Sequence, residues 1–195
     1  MSKIGKRIDA LVSLELASRL KAAGYRKKGR SFWTVREDHT RVVNVQASRW
    51  NQGEEGTLAV NLGVFFPALA KLMDQPDVEG VPKEYQCTLR RRLGVLAHGG
   101  RDHWWSVGPE TDLASTSREI AEAWTGFGVP WMESVATLEG ARAELDRQGN
   151  PFLAGVVSLE LGDRETARAL VVESLRRFPR AAARTREWAA RHGLL

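Results

Sequence analysis

The stretch from Phe32 to Phe65 constrains the fold more than any other part of the chain. It holds three strand-like segments in succession, SFWTVR, RVVNVQAS and TLAVNLGVFF. Apolar residues alternate along the second and third, as an antiparallel sheet with one buried face requires. In the second segment Val43, Val45 and Ala47 share one face, and Asn44, Gln46 and Ser48 share the other. In the third, Leu58, Val60, Leu62 and Val64 form the apolar face, with Asn61 and Gly63 opposite. In the first, side-chain alternation sets Ser31, Trp33 and Val35 against Phe32, Thr34 and Arg36. EDHT is a hairpin-length turn, and WNQGEEG is a loop that makes Trp50 a candidate exposed aromatic.

Two more strands are predicted, QCTLRRRL (86–93) and HWWSV (103–107), joined by the turn AHGGRD. Alternation along the first puts Arg91 beside Cys87, Leu89 and Leu93, with Thr88, Arg90 and Arg92 on the far side. A charge on an apolar face needs a partner or a bulge that turns it outward. The adjacent Trp104 and Trp105 must point to opposite faces.

Helical periodicity brackets this sheet. Ile4, Ile8, Leu11, Val12, Leu16 and Leu20 predict one amphipathic helix from Ser2 to about Ala23, with Gly24 as its terminator. The basic run GYRKKGR (24–30) reads as a solvated connector without the P-loop pattern. PALAKLM (67–73) is a short helix, followed by the loop DQPDVEGVPKEY. Beyond Pro109 the pattern is helical at 111–125 and 129–135 and then in four further segments. Gly149 and Gly162 act as stops there, and Pro151 suits a first turn. The pair around the LGD turn looks like one tetratricopeptide-type hairpin, but no repeat period supports a solenoid. The expected architecture is α+β: an N-terminal helix, a roughly five-stranded antiparallel sheet and a C-terminal α-helical region. The sheet domain is expected over 1–110, with 111–195 packed on or beside it.

Charge is unevenly spread. The net charge is +5, yet residues 1–50 carry 12 Lys and Arg against 4 Asp and Glu, while the remainder is nearly balanced. Such a surplus favours an anionic partner or forms a solvated face. Lys27, Lys28 and Arg30 are the anion-binding candidates. On the sheet, Asn44, Gln46, Asn61, Arg90, Arg92 and Trp105 are the ligand-binding candidates, although a polar strip of this kind is also what a wet sheet face presents. The single cysteine excludes an internal disulfide, no apolar run reaches membrane length, and the N-terminus lacks a signal-peptide pattern. A cytoplasmic location is therefore expected, with no membrane association.

Catalytic patterns are weak. Cys87 with His98 or His103 could form a nucleophile–base pair, but a lone strand cysteine usually packs in a core. His98, Asp102 and His103 could offer metal ligands, but they lack established zinc spacings, so a Gly-Gly turn is the simpler reading. No catalytic residue, metal or cofactor is expected.

Taken in order, GYRKKGRSFW, VNVQ, TLAVNLGVFF, EYQCTLRRRLG and HWWSV resemble the bacterial family described as domain of unknown function 4304. The resemblance covers about residues 5–110, with Tyr25 where the family usually has Phe, and the helical tail is similar too. It transfers no activity and no catalytic residues, and it implies at most a role near toxin–immunity or defence loci. The leading expectation is a non-catalytic binding module whose protein partner docks on the sheet face or between sheet and helices. The alternatives are a nucleic-acid binder using the basic N-terminal quarter, and an enzyme around Cys87, His103 and Arg91.

Overall fold

The computed structural model describes residues 2–195. Two helices lead in, α1 (Lys3–Leu14) and α2 (Leu16–Ala22), where the periodicity predicts one. The break has a local cause. Ser117, fully buried, donates its hydroxyl to the Leu11 carbonyl (2.8 Å) and accepts from the Glu15 N–H (3.1 Å). It thereby stands between a carbonyl and the amide four residues on, a recognised way to break a helical ladder. At the far end Gly24 (φ 82°) accepts the left-handed conformation, and Tyr25 N–H returns to the Leu20 carbonyl.

The sheet has six antiparallel strands: β1 (Arg26–Lys28), β2 (Ser31–Val35), β3 (Thr40–Ala47), β4 (Gly56–Phe65), β5 (Leu89–Arg92) and β6 (Trp105–Val107). The order is β1-β2-β3-β4-β5, and β6 pairs with the start of β4. Residues 61–64 of β4 pair with β5, and residues 56–58 with β6, so the two short strands share one edge of β4. The sixth strand is the basic run predicted as a connector. Gly29 (φ 59°) makes the two-residue turn that folds Arg26–Lys28 back onto β2.

The register aligns Phe32, Val43, Leu62 and Arg91 on one face, with Val64 and Leu89 beside them. Helices α1, α2 and α5 (Leu113–Ala123) supply the apolar side chains of the same core, among them Ile8, Leu11, Leu16, Leu20 and Ile120, all fully buried. Burying such side chains contributes roughly 1.5–3 kcal/mol each. The second face carries Asn44, Asn61, Arg90 and Arg92. A 3-10 turn at Glu84–Gln86 ends at Cys87, which packs directly over Gly63: a β-carbon added there would sit 2.6 Å from the Cys87 Sγ. Cys87 thus belongs to the second face and precedes β5, contrary to the alternation predicted over 86–93. A short helix, α4 (Leu93–Ala97), replaces the end of that predicted strand.

By contacts the chain forms two compact units. The first comprises residues 2–65 and Gly80–Glu133, and holds the whole sheet. Its α5 continues through a π-helical turn (Trp124–Gly128) into α6 (Val129–Ser134). The second comprises Phe66–Glu79 and Ser134–Leu195. It holds α3 (Pro67–Leu72), α7 (Leu138–Arg147), α8 (Pro151–Glu160), α9 (Arg164–Arg177) and α10 (Ala182–Arg191). Thr137, Asn150 and Asp163 cap α7, α8 and α9 through their side-chain oxygens, and Gly149 and Gly162 take positive φ at the intervening turns. Trp188 fixes α10 to α3 by donating its indole N–H to the Leu72 carbonyl (2.9 Å), and it stacks edge-to-face on Phe152.

Candidate functional site

The basic candidates fall at the free edge of the sheet. Among the described residues β1 has no strand on its outer side, and Arg26, Lys27 and Lys28 are all exposed. Arg26 lies opposite Trp33 and Lys28 opposite Ser31, while Lys27 lies opposite Phe32 with its ammonium 5.4 Å from the ring centre. Lys21, Arg26 and Lys28 make no ion pair among the described residues. Arg30 behaves differently. Its guanidinium is bound to Asp9 (2.6 Å) and to the Gly5 carbonyl (2.7 Å), fastening the hairpin to α1. Two shallow pockets of about 450 Å³ flank the edge. One is floored by Ala17, Tyr25 and Phe32 with Lys21 and Lys27 on its rim; the other is lined by Arg26, Trp33 and Val35. Burial pushes the Tyr25 phenol up to about 12, so it stays protonated there.

The polar strip on the second face assembles as the register predicts, and its members satisfy one another. Asn44 Nδ2 donates to Ser31 Oγ (2.9 Å) and Asn61 Nδ2 to Gln46 Oε1 (2.9 Å). Arg90 makes a bidentate pair with Glu84 at 2.7 and 3.2 Å. Arg92 pairs with Asp102 and lies 4.8 Å over the Trp104 ring. Trp105 is not on this strip. β6 pairs Trp105 with Leu58, so its ring is buried in the core and its indole N–H donates to Glu119 (2.8 Å). Trp104 takes the outward position and Trp50 is 73% exposed.

Cys87 is a buried thiol. Desolvation, aided by the charge of Glu84, pushes it up to about 12, and a thiolate nucleophile is correspondingly disfavoured. Arg91 is half-buried on the core-facing side, opposite Leu62.

Two constellations were not legible as such in the sequence. The first is a chain of four polar side chains beside β3. Asp38 accepts from His39 Nδ1–H (2.6 Å), His39 Nε2 accepts from Arg41 Nε–H (3.1 Å), and Arg41 grips Glu133 at 2.6 and 3.2 Å. Arg41 is buried, and its hydrogen bond holds the Glu133 carboxyl below the usual carboxylate range. The apolar alternation of β3 hid it, because Arg41 occupies a core-facing register position. The second joins His98 and His103 to Glu119. The two imidazoles stack at 3.9 Å, and His103 meets the Trp105 ring edge-on at 5.1 Å. His98 follows α4, His103 precedes β6 and Glu119 belongs to α5, so no linear spacing could announce the group.

Fold and edge together define a small α+β domain built on a meandering antiparallel sheet with a basic outer strand. Residues 16–134 match the family model described as Domain of unknown function (DUF4304), and the chain belongs to that family. No curated protein and no solved structure matches the chain. Among the described residues no helix is long and apolar enough to cross a membrane.

Proposed function

We propose that the chain is a non-catalytic binding module of the bacterial cytoplasm that takes an acidic, extended segment of a protein partner along β1. One observation carries the reading: β1 is an exposed edge strand whose cations lack counter-ions among the described residues, whereas Arg19, Arg30, Arg41, Arg90 and Arg92 are each paired within the chain. An exposed edge offers unsatisfied backbone donors and acceptors to an incoming strand. Like charge on the edge discourages pairing with a second copy while complementing a carboxylate-bearing one. The small pockets beside it, one mainly apolar and one of mixed character, suit the alternate side chains of that strand. The buried, unpaired Cys87 agrees with a reducing compartment. A nucleic-acid reading has less support. Arg30, Arg90 and Arg92 are neutralised by Asp9, Glu84 and Asp102, and Trp105 lies in the core, away from any stacked base.

The test is fluorescence anisotropy with a short peptide alternating glutamate and valine, its glutamine counterpart, and single- and double-stranded RNA and DNA. The acidic peptide is expected to bind saturably and more weakly as salt rises. Lys27→Glu with Lys28→Glu should lower its affinity at least about tenfold, in keeping with like-charge juxtaposition across an interface, and leave the melting temperature unchanged. Tighter binding of nucleic acid than of peptide, or no peptide binding at low salt, would overturn the proposal.

A further inference from the structure

We infer that His98, His103 and Glu119 form a binding site for one divalent transition-metal ion, of the zinc class, independent of the β1 edge. Each residue offers one ligand atom, and these atoms lie within 4.8 Å of one another. Three ligands on one zinc, each about 2.0–2.2 Å from the ion, stand roughly 3.4 Å apart in a tetrahedral set. Closing that gap calls for side-chain rotation, which the half-buried setting of His98 and His103 and the exposure of Glu119 leave room for. Two imidazoles and one carboxylate are a donor set that suits zinc and its neighbours rather than magnesium or calcium. Such a set leaves a fourth position for water.

The surroundings prepare the ligands. His98 Nδ1 lies 3.1 Å from the Gly94 carbonyl, which can only accept, so Nδ1 carries the proton and Nε2 keeps its lone pair. Trp105, itself buried, holds Glu119 Oε1 at 2.8 Å and leaves Oε2 for the ion. These are the outer contacts that orient metal-binding histidines and carboxylates elsewhere. Gly94 secures the third ligand. A β-carbon at Gly94 would lie 2.2 Å from the His103 carbonyl oxygen, so the chain bearing His103 reaches α4 only because that position is glycine. Asp102, the carboxylate nearest in sequence, is excluded: it is bound by Arg92 and by the Trp104 indole N–H. The two rings stack 3.9 Å apart at 19°, and rotation of both onto one ion is expected to change that stacking. That gives a signature beyond affinity.

The experiment is calorimetric titration of zinc into the full chain carrying no affinity tag, with the imidazole proton resonances followed in parallel. One ion per chain is expected, with shifts confined to His98 and His103. His103→Ala and Glu119→Gln should each weaken zinc by at least the roughly 10–100-fold that loss of an outer contact costs. Glu119→Gln retains the acceptor for Trp105, so the loss cannot be laid to packing. Asp102→Ala should leave the affinity as it is. Absence of saturable binding, or unchanged affinity in both His103→Ala and Glu119→Gln with native circular dichroism, would overturn the inference. Binding lost equally in Asp102→Ala would do the same. Because none of the three ligands lies on β1, failure here leaves the peptide proposal standing, and the converse holds.

Discussion

At the scale of single residues, two positions show how closely packing and charge are set. Gly63 sits in the middle of β4, where a side chain would be favoured by strand propensity, yet Cys87 fills the space its side chain would need. Gly63→Ala should therefore destabilise the chain by about 1–3 kcal/mol, the usual range for overpacking. Adding Cys87→Gly should recover part of that loss, a coupling that denaturant melts of the two single variants and the double variant will read. Strictly additive losses would contradict the contact. Glu133 makes the second case. Arg41 depresses its folded pKa, so its contribution to stability is present in full above the ordinary carboxylate value of about 4.3 and is lost as pH falls through the folded value. The melting temperature of Glu133→Gln should lie below that of the native chain at neutral pH. The difference should close as the pH falls below the ordinary carboxylate value and through the depressed folded one. A difference that widens in acid would reverse the assignment.

Elements were legible where periodicity alone decides them. The central strands β3 and β4, the helix stops at Gly24, Gly149 and Gly162, and the first-turn Pro151 stand where the sequence puts them. Elements decided by a distant side chain were not. Nothing within residues 2–23 signals the break at Glu15, because Ser117 makes it from α5. Ser117→Ala should cost about 1–3 kcal/mol by leaving buried backbone groups unsatisfied, or less if α1 and α2 then join into one helix; thermal melts with helical content by circular dichroism distinguish the two. A larger helical signal with unchanged stability would mean that the serine only interrupts. β1 had a readable sign that charge obscured, namely a glycine in a two-residue turn between RKK and SFW. Strict alternation failed over 86–93 because a 3-10 turn precedes β5 and lets Cys87 change faces.

At the scale of the whole molecule, the family match ends at residue 134, one residue past Glu133, where the first compact unit ends. The α+β architecture and the family were open to sequence reasoning because both rest on ordered local patterns. The candidate sites were open only in part. Lys27 and Lys28 emerged from charge density alone, whereas the neutralisation of Arg30, Arg90 and Arg92 depends on partners that only the fold supplies. Glu119 was invisible for the same reason, since helix α5 brings it to the histidines. The basic edge differs from Arg30, Arg90 and Arg92 in that Arg26 and Lys28 make no ion pair among the described residues and lie along a free strand edge. The measurement that addresses this most directly is amide hydrogen exchange with and without the alternating glutamate–valine peptide. Strand addition predicts slowed exchange at residues 26–28, with little change along β3 and β4. Protection confined to the Asn44–Asn61 strip, or none at β1 under saturating peptide, would contradict it.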